Sequence, residues 1–286
     1  MVSNIINGRE ISKKRLIEIE EKVKYLSDKY GKVPGLAVVY IGNDKASEVY
    51  VNTIIKKCTK VHFYSEKHLL SENVSEDEIL DLINNLNKNE KINGIIIQFP
   101  LPKGIDENKI KFALSYEKDV DCINPINVGM LYSNSKSFLP CTPKGVIELI
   151  KSINQDLTGK NAVVVGRSNI VGKPVAELLQ QENLTVTLCH SKTKDLKEHL
   201  LRADVVVAAA GRANLIKGDM LKENCIVIDV GTNVVDGKLV GDVEFDSAVK
   251  KASYITPVPG GVGPMTIAML LENTLEACLK QCELKF

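Results

Sequence analysis

The sequence predicts an α/β protein of two domains, each built around a parallel β-sheet. Its 286 residues are enough for two domains of ordinary size. Short β-branched runs alternate with amphipathic helical segments in both halves, which is the pattern of parallel sheets covered by helices. The segment at residues 161–174 has the pattern of a buried strand, a glycine turn and a helix start, which predicts a doubly wound unit in the second half.

The first half of the chain alternates helix and strand patterns. The first helix is predicted over residues 10–29, where Leu16, Ile19, Val23 and Leu26 form one apolar stripe. The elements predicted after it are a strand at 35–41, a helix at 47–60, a short strand near 61–64, a helix opened by a capping box of Ser75 and Glu78, and a strand at 94–98. Ligand sites are expected at the carboxyl ends of these parallel strands.

The second half repeats this alternation around the glycine turn. Thr142 is predicted to cap a helix over residues 144–153, with Pro143 at its first position. Five strands are predicted, at 162–166, 185–189, 204–209, 225–230 and about 253–256. The last helix, from residue 264 to about 281, is expected to pack against the first domain and to make it discontinuous. The predicted domains are therefore 1–141 joined by about 264–286, and 142–263.

The composition excludes several classes of protein. Lysine plus arginine (37) nearly balance aspartate plus glutamate (36), so net charge gives no case for nucleic-acid binding. No apolar run approaches the roughly 20 residues that cross a bilayer, and the first 25 residues carry no apolar segment of a signal peptide. The seven cysteines lack zinc-like spacing. We therefore expect a reduced cytoplasmic protein without a structural metal.

The turn between Gly166 and Gly172 is a candidate phosphate site. Gly166 allows a sharp turn after a buried strand, Gly172 allows close approach at the helix start, and Pro174 suits a first helical turn. Backbone N–H groups and the helix dipole then favour an anion. The spacing differs from the G-x-G-x-x-G dinucleotide fingerprint, so a turn that serves only packing is the alternative.

The residues after the next strand favour NADP over NAD. An NAD site commonly places a carboxylate about 20 residues beyond the glycine turn, where it binds the ribose 2′-hydroxyl. Here the strand ends in Cys189-His-Ser191-Lys192-Thr, which contains no acid. Arg167 in the turn and the Ser191 hydroxyl suit a 2′-phosphate instead. The alternative is that Arg167 and Lys192 are solvated surface charges.

Several longer motifs resemble one enzyme family. They read QFPLP at 98–102, KDVD at 118–121, GRSNIVGKP at 166–174, CHS at 189–191 and TPVPGGVGPMT at 256–266. Together, and in this order, they resemble the methylenetetrahydrofolate dehydrogenase/methenyltetrahydrofolate cyclohydrolase family. The resemblance covers essentially the whole chain.

The resemblance implies a fold, an activity and a set of site residues. It implies an N-terminal α/β folate-binding catalytic domain and a Rossmann-type doubly wound NADP-binding domain, with a cleft between them, usually in a homodimer. The family oxidises 5,10-methylenetetrahydrofolate with NADP and hydrolyses the methenyl product to 10-formyltetrahydrofolate, within one-carbon metabolism and purine biosynthesis. The implied catalytic residues are Tyr50, Gln98 and Asp121; the implied substrate-binding residues are Tyr50, Asp121, Pro259, Gly260 and Gly263; the implied cofactor-binding residues are Gly166, Arg167, Ser168, Ser191 and Thr232.

The residue types suit this chemistry. Adjacent N–H donors along one edge of a pterin suit bidentate binding to a carboxylate such as Asp121, although a loop cap is the structural alternative for this residue. Hydride transfer from a carbon between two nitrogens needs orientation and exclusion of water more than it needs a protein base. Hydrolysis differs, because the attacking water must lose a proton.

The sequence departs from the family at the lysine most closely tied to hydrolysis. The family carries Tyr-x-x-x-Lys, and the lysine position here is Ile54, four residues after Tyr50. Lys56 is turned roughly 240° from Tyr50 around a helix, so it faces elsewhere. Lys57 is turned about 20° but lies roughly 10 Å further along the axis, so it reaches back only in part. A second departure is Cys122, where the family usually has glycine after Asp121, and its side chain is expected to tighten the pterin loop.

We therefore expect an NADP-linked dehydrogenase whose cyclohydrolase activity is weak or absent. The alternative is a fully bifunctional enzyme in which Lys57 or water acts in place of the lysine. The competing classes are a two-domain NADP dehydrogenase of the shikimate or amino-acid type, and a non-catalytic folate- or nucleotide-binding protein. A test for NADPH formation with methylenetetrahydrofolate separates these classes.

Overall fold

Two parallel sheets organise the chain in a computed structural model, which describes residues 4–284 apart from the side chains of residues 45 and 46. Residues 4–13 and 142–266 form one unit, here called the six-stranded unit. Residues 14–141 and 267–284 form the other, here called the three-stranded unit. The predicted two-domain α/β fold is confirmed.

The elements within residues 4–284 are numbered in chain order. The strands are β1 Asn4–Ile5, β2 Gly35–Ile41, β3 Tyr64–Leu70, β4 Gly94–Ile97, β5 Asn161–Val165, β6 Thr185–Cys189, β7 Val205–Ala208, β8 Ile226–Asp229, β9 Asn233–Val235, β10 Lys238–Val240 and β11 Tyr254–Ile255. The helices are α1 Gly8–Tyr30, α2 Lys45–Lys60, α3 Glu76–Lys88, α4 Glu107–Ala113, α5 Pro125–Tyr132, α6 Cys141–Lys151, α7 Gly172–Gln181, α8 Leu196–Leu200, α9 Phe245–Ala248 and α10 Val262–Gln281.

The three-stranded sheet has the order β3-β2-β4, with all neighbours parallel. Its central strand β2 is buried along its whole length, as expected for an apolar run covered on both faces. The capping box at Ser75 is confirmed, because the Ser75 hydroxyl accepts from the Glu78 N–H and the Glu78 carboxylate accepts from the Ser75 N–H. Helix α3 then buries Ile79, Ile83 and Leu86.

The six-stranded sheet has the order β1-β11-β8-β7-β5-β6, again all parallel. The five predicted strands of the second half are all present: β6 has the predicted bounds, β5 begins and ends one residue earlier, and β7, β8 and β11 are shorter by one residue at each end. Strand β5 lies between β6 and β7, so the strand order reverses beside the glycine turn that follows β5. Ligands of doubly wound sheets bind outside the carboxyl ends of the strands at such a reversal.

Two local predictions were wrong, and one strand was missed. The strand expected near 61–64 lies later, at β3, because the chain turns at His62, which has a positive φ of 61°, after α2 ends at Lys60. Thr142 is not a helix cap, because α6 already begins at Cys141, and the Thr142 hydroxyl instead bonds the Thr266 hydroxyl at 3.0 Å. Strand β1 was not predicted, and it pairs with β11 at the edge of the six-stranded sheet.

Helix α10 belongs to both units along the chain. Its residues from 267 onward are part of the three-stranded unit, so that unit is discontinuous in sequence. Residues 4–13 lie in the six-stranded unit because β1 pairs there, although the predicted range 1–141 placed them in the first domain. The functional boundaries at 141/142 and 263/264 stay a prediction.

Among residues 4–284, no helix is both long and apolar enough to cross a bilayer. The same residues contain no group of three or more histidine, cysteine or acidic side chains arranged to hold a metal ion.

Candidate active site

A buried carboxylate shapes the loop that carries Asp121. Asp119 has no exposed surface and accepts hydrogen bonds from the N–H groups of Ile123 (3.0 Å) and Asn124 (2.8 Å) and from the Asn127 amide (2.9 Å). Burial raises the pKa of Asp119, and these donors oppose the rise. Asp119 therefore fixes the turn between residues 119 and 124.

Asp121 lies beside Tyr50 and Cys141 in the same unit. Its carboxylate accepts from the Cys141 N–H at 3.3 Å, and the Cys141 thiol also donates to the Val120 carbonyl at 3.2 Å. Burial raises the pKa of Asp121 to about 6, and the charge of Asp119 adds to this rise. Burial also raises the pKa of Tyr50, with a further contribution from Asp121. Near neutral pH the pair is thus a carboxylate beside a neutral phenol.

Gln98 follows β4 at the carboxyl end of that strand. Its N–H donates to the Val39 carbonyl at 2.9 Å, which holds it to the neighbouring strand β2. Its side-chain amide donates to the Phe99 carbonyl at 3.2 Å. The side chain is partly buried. The Gln98 side chain thus lies at the carboxyl end of a strand, where ligand sites of parallel sheets are found.

The lysine position of the family is occupied by a core residue. Ile54 lies on α2 one helical turn after Tyr50, and its side chain has no exposed surface. Lys56 is exposed, and Lys57 is partly buried. The contacts described for residues 4–284 include no hydrogen bond or ion pair between Lys57 and Tyr50, Gln98 or Asp121. The position four residues after Tyr50 therefore offers no titratable group.

Cys122 has the backbone of a glycine position. Its φ is +56°, which lies in the left-handed region that residues with a Cβ seldom adopt. This conformation accounts for the glycine that the family usually has here. The Cys122 side chain is buried at 4% exposure, and burial raises the pKa of its thiol. The inferred tightening of the pterin loop stays a prediction.

The glycine turn of the six-stranded unit is closed by two backbone contacts. A Cβ at Gly166 would lie 2.0 Å from the Ala209 carbonyl oxygen, and a Cβ at Gly172 would lie 2.0 Å from the Gly166 carbonyl oxygen. Gly166 also has a φ of +128°. Because Ala209 follows β7, the turn after β5 is pressed against the loop after β7, at the strand reversal. The backbone around this turn has the close approach that a dinucleotide phosphate site needs.

Ser168 supports the start of helix α7. Its hydroxyl accepts from the N–H groups of Val171 (3.2 Å) and Gly172 (3.3 Å), which have no partner within the helix. Pro174 lies in the first turn of α7, as predicted. Arg167 and Ser168 are both exposed. The turn thus offers a cation and a hydroxyl to solvent beside a helix N-terminus, and these groups suit a phosphate.

The other predicted cofactor residues follow neighbouring strands of the same sheet. Ser191 is exposed in a turn after β6, in which the His190 N–H donates to the Thr193 hydroxyl at 2.8 Å. Thr232 is exposed between β8 and β9. All five predicted cofactor residues therefore follow the carboxyl ends of strands β5, β6 and β8.

The loop before α10 also lies in the six-stranded unit. Gly260 has a φ of +115°, and its carbonyl accepts from the Arg9 N–H at 3.1 Å. A Cβ at Gly8 would lie 1.9 Å from the Gly261 carbonyl oxygen, so the start of α1 packs tightly on this loop. Pro259 and Gly263 are exposed. These three predicted substrate residues belong to this unit, whereas Tyr50, Gln98 and Asp121 belong to the other.

Sequence reasoning missed the residues that hold these loops. Asp119 stood within the KDVD motif without a role, and Cys141 and Asn273 were not singled out at all. The Asn273 amide donates to the carbonyls of Val120 and Leu139, both at 2.8 Å. The only sequence signal for Asn273 was its place in the polar run Glu272-Asn273-Thr274 of a largely apolar last helix.

Comparison with known proteins agrees with this arrangement. Residues 6–121 match the model of the tetrahydrofolate dehydrogenase/cyclohydrolase catalytic domain. Residues 140–282 match the model of the NAD(P)-binding domain of the same family. The bifunctional protein FolD of Acetivibrio thermocellus is 51% identical over 286 residues and is covered in full.

Solved structures show the same likeness. The bifunctional FolD methylenetetrahydrofolate dehydrogenase/cyclohydrolase of Campylobacter jejuni has a TM-score of 0.95 and 46% identity, with 98% of this chain and 99% of that chain covered. The Trypanosoma brucei methylenetetrahydrofolate dehydrogenase-cyclohydrolase, solved with NADP cofactor and inhibitor, has a TM-score of 0.95 and 39% identity, with 99% of each chain covered. The chain belongs to the tetrahydrofolate dehydrogenase/cyclohydrolase family, with a catalytic domain followed by an NAD(P)-binding domain.

Proposed function

We propose that this chain is an NADP-dependent methylenetetrahydrofolate dehydrogenase whose cyclohydrolase activity is weak or absent. Membership of the family supports the dehydrogenase reaction, in which 5,10-methylenetetrahydrofolate becomes 5,10-methenyltetrahydrofolate. The fully buried Ile54 at the family's lysine position carries the proposal of weak hydrolysis.

The three-stranded unit supplies the groups proposed to hold the folate. Asp121 would accept hydrogen bonds from the N–H donors along the pterin edge, for which it must be ionised. Tyr50, kept neutral by burial and by the nearby carboxylate, would pack its ring against the substrate. Gln98 would donate or accept at the reacting centre. Pro259 and Gly260 of the loop before α10, and Gly263 in the first turn of α10, all in the other unit, are proposed to complete the substrate site.

The six-stranded unit supplies the groups proposed to hold NADP. The turn from Gly166 to Gly172 would receive the pyrophosphate at the N-terminus of α7, and its glycines permit the close backbone packing that forms this turn. Arg167 and Ser191, with no acid after β6, favour a 2′-phosphate. Ser168 and Thr232 would add hydroxyl contacts. When bound, NADP supplies the hydride acceptor.

Hydrolysis of the methenyl product asks more of the protein. The attacking water must lose a proton, and a ring nitrogen must gain one. A lysine amine can hydrogen-bond and move a proton, whereas the Ile54 side chain can do neither. Oxidation lacks this requirement, because hydride transfer depends on orientation and exclusion of water. The substitution is therefore expected to separate the two family activities.

The fully bifunctional enzyme is the second candidate function. The observation that favours it is the 51% identity between this chain and the bifunctional protein FolD of Acetivibrio thermocellus. In that case Lys57 or a bound water would replace the lysine amine. Lys57 is partly buried on α2, and among residues 4–284 its amine has no described hydrogen bond to Tyr50, Gln98 or Asp121.

Two assays on the wild-type protein test the proposal. NADPH formation with methylenetetrahydrofolate measures oxidation, and the decay of methenyl absorbance measures hydrolysis. We expect clear oxidation and a hydrolysis rate close to the uncatalysed rate. Hydrolysis far above that rate would contradict weak cyclohydrolase activity and would favour the bifunctional enzyme.

Substitution at Ile54 tests the cause. Ile54→Lys should raise hydrolysis selectively, by about 100-fold or more, which is the usual range for a positioned acid–base group. Ile54→Met is the matched control, because it has a similar length and no amine. Retained oxidation by Ile54→Lys shows that the variant folds. Equal hydrolysis by the lysine and methionine variants would show that the amine is not what is missing.

Membership of the family also supports expectations about the assembly, location and metabolic role of this chain. We propose that it acts as a homodimer on tetrahydrofolate derivatives in the cytoplasm, in one-carbon metabolism and purine biosynthesis. Light scattering of the purified protein measures the mass in solution. A monomer at working concentration would contradict the dimer.

A further inference from the structure

Two buried carboxylates lie at the carboxyl edge of the six-stranded sheet and have no role in the proposed reaction. Asp229 is the last residue of β8 and is 3% exposed. Asp242 follows β10 and has no exposed surface. A buried carboxylate is costly unless hydrogen bonds satisfy it, so such a pair calls for a physical account.

Asp242 is held by four neutral amide donors. One carboxylate oxygen accepts from the N–H groups of Ala210 (2.6 Å) and Gly211 (2.9 Å). The other accepts from the N–H of Arg212 (2.8 Å) and from the side-chain amide of Asn233 (2.9 Å). Three successive backbone N–H groups aimed at one anion form an anion-binding nest. Asp242 thus fastens the loop after β7 to the first residue of β9.

Asp229 and Asp242 are interlocked through two glycines. Asp229 accepts from the N–H groups of Gly231, Asp242 and Val243. A Cβ at Gly231 would lie 2.3 Å from an Asp242 carboxylate oxygen, and a Cβ at Gly241 would lie 1.8 Å from an Asp229 carboxylate oxygen. Each carboxylate therefore occupies the space that a side chain on the neighbouring glycine would take. The arrangement fixes both chain segments that enter and leave the β9–β10 hairpin.

The segments held by Asp242 adjoin the proposed cofactor site. The loop after β7 begins at Ala209, whose carbonyl oxygen closes the glycine turn at Gly166. Thr232, a proposed cofactor contact, directly precedes Asn233. A displacement of either segment would therefore move the wall of the phosphate turn or the Thr232 hydroxyl.

We infer that Asp242, whose N–H donates to the Asp229 carboxylate, is a positioning residue for the dinucleotide. It fixes the loop after β7 and the segment that contains Thr232 in the arrangement that binds NADP. This inference rests on the proposed NADP function and names a residue that does not touch the cofactor. The charge matters because hydrogen bonds to an ionised acceptor are about twice as strong as neutral ones. An asparagine would also turn an NH₂ group toward N–H donors.

The test compares NADPH binding by wild type, Asp242→Asn and Asp204→Asn, followed by NADPH fluorescence without folate. Asp204 precedes β7 at the opposite, amino end of the same strand, where it accepts from the Asn161 N–H and pairs with Lys222. It is the matched control for loss of a hydrogen-bonded aspartate charge in the same unit. We expect Asp242→Asn to raise the Kd for NADPH about tenfold, equivalent to ~1.4 kcal/mol, and Asp204→Asn to leave it unchanged.

A second readout separates positioning from general destabilisation. Hydrogen exchange at the amides of Ala210, Gly211 and Arg212 should accelerate in Asp242→Asn and not in Asp204→Asn. The KM for the folate substrate should stay within about twofold of wild type, because Asp242 bonds residues 210–212 and Asn233, none of which is a proposed folate contact. Asn233→Ala removes one of the four donors to Asp242, together with a long 3.5 Å contact to the Val240 carbonyl, and should raise the Kd for NADPH by about threefold. It keeps the test open if Asp242→Asn does not fold.

Three outcomes would overturn the assignment. The first is an unchanged Kd in folded Asp242→Asn, or in Asn233→Ala if the former does not fold. The second is an equal rise in Asp204→Asn. The third is a wild type that binds no NADPH, which overturns the proposed function as well. Wild-type binding with unchanged variants overturns the positioning role alone.

Discussion

Asp121 couples the ionisation that substrate binding needs to a cost in folding stability. Its pKa is 3.8 in the unfolded reference and is raised to about 6 in the fold, first by burial and then by the charge of Asp119. Between these pH values the folded chain holds a proton that the unfolded chain has released. Stability therefore falls as pH rises through this window, and the cost persists above pH 6.

Asp121→Asn is expected to trade substrate binding for stability. At pH 7.5 the variant should melt higher than wild type, by about 2–4 °C for each kcal/mol of relieved charge burial. The difference should shrink as the pH falls from 6 to 4, where wild type becomes protonated. Loss of a charge-assisted bidentate contact should lower kcat/KM for the folate by about 100-fold. In wild type, the same kcat/KM should fall as the pH drops below 6. Thermal melts and steady-state kinetics across pH measure both effects.

Asp156→Asn is the matched control for the removal of an aspartate charge. Asp156 is exposed, and a hydrogen bond from the Thr158 N–H lowers its pKa, so the sign of its linkage is opposite. Its replacement should leave kcat/KM unchanged and should not raise the melting temperature at pH 7.5. If Asp121→Asn melted no higher than wild type at pH 7.5 and kept its folate kcat/KM, the assigned role would be wrong.

At the scale of elements, the turn between β5 and α7 depends on glycine for two separate contacts. Gly166 and Gly172 each leave room for a backbone carbonyl oxygen 2.0 Å from the place of a Cβ. Real Cβ atoms do not approach an oxygen so closely, and a backbone neighbour has no side-chain freedom with which to move away. The strand, the turn and the helix start must therefore shift together if either glycine is replaced.

Gly172→Ala is expected to lower both NADPH affinity and stability. The displaced turn should weaken NADPH binding by tenfold or more, and relief of the clash should cost about 2 kcal/mol or more of unfolding free energy. NADPH fluorescence and urea unfolding measure the two effects. Gly129→Ala is the control: Gly129 is exposed in helix α5 with nothing within 4 Å of its Cβ, so alanine should add about 0.5–1 kcal/mol of stability. Unchanged NADPH affinity in Gly172→Ala would remove the glycine turn from the cofactor site.

The elements that the sequence predicted well are those with a strong local pattern. Strands β2, β4 and β5 are β-branched, buried runs, and α3 begins with a full capping box. Strand β3 was misplaced because it is a polar edge strand with a partner on one side only. Strand β1 has two residues and exists only through its pairing with β11, which is 249 residues or more distant in sequence.

The same distinction holds for the candidate site. Residues within contiguous motifs, such as Asp121 and Gly166, could be singled out from the sequence. Asn273 and Asp242 could not, because their importance lies in hydrogen bonds to backbone groups far along the chain. Cys122 was marked as a departure, but only its positive φ explains why glycine suits that position.

At the scale of the whole chain, the three-stranded unit is closed by a helix from the far end of the sequence. Asn273 of α10 has no exposed surface, and its amide donates to the carbonyls of Val120 and Leu139. These carbonyls precede Asp121 and Cys141, the two residues that meet at the proposed folate site. The last helix thus contributes to that site through the loops it holds, although it supplies no residue proposed to touch the folate from this unit.

Asn273→Ala tests this contribution. The substitution removes the donor to two carbonyls, which should lower the unfolding free energy by about 2–4 kcal/mol. It should also raise the KM for methylenetetrahydrofolate, because the Asp121 loop loses an anchor, while the Kd for NADPH stays unchanged. Asn84→Ala, on the exposed face of α3, is the control and should change stability by no more than about 0.5 kcal/mol. A destabilised Asn273→Ala with wild-type KM would show that α10 holds the fold and leaves the site geometry to other contacts.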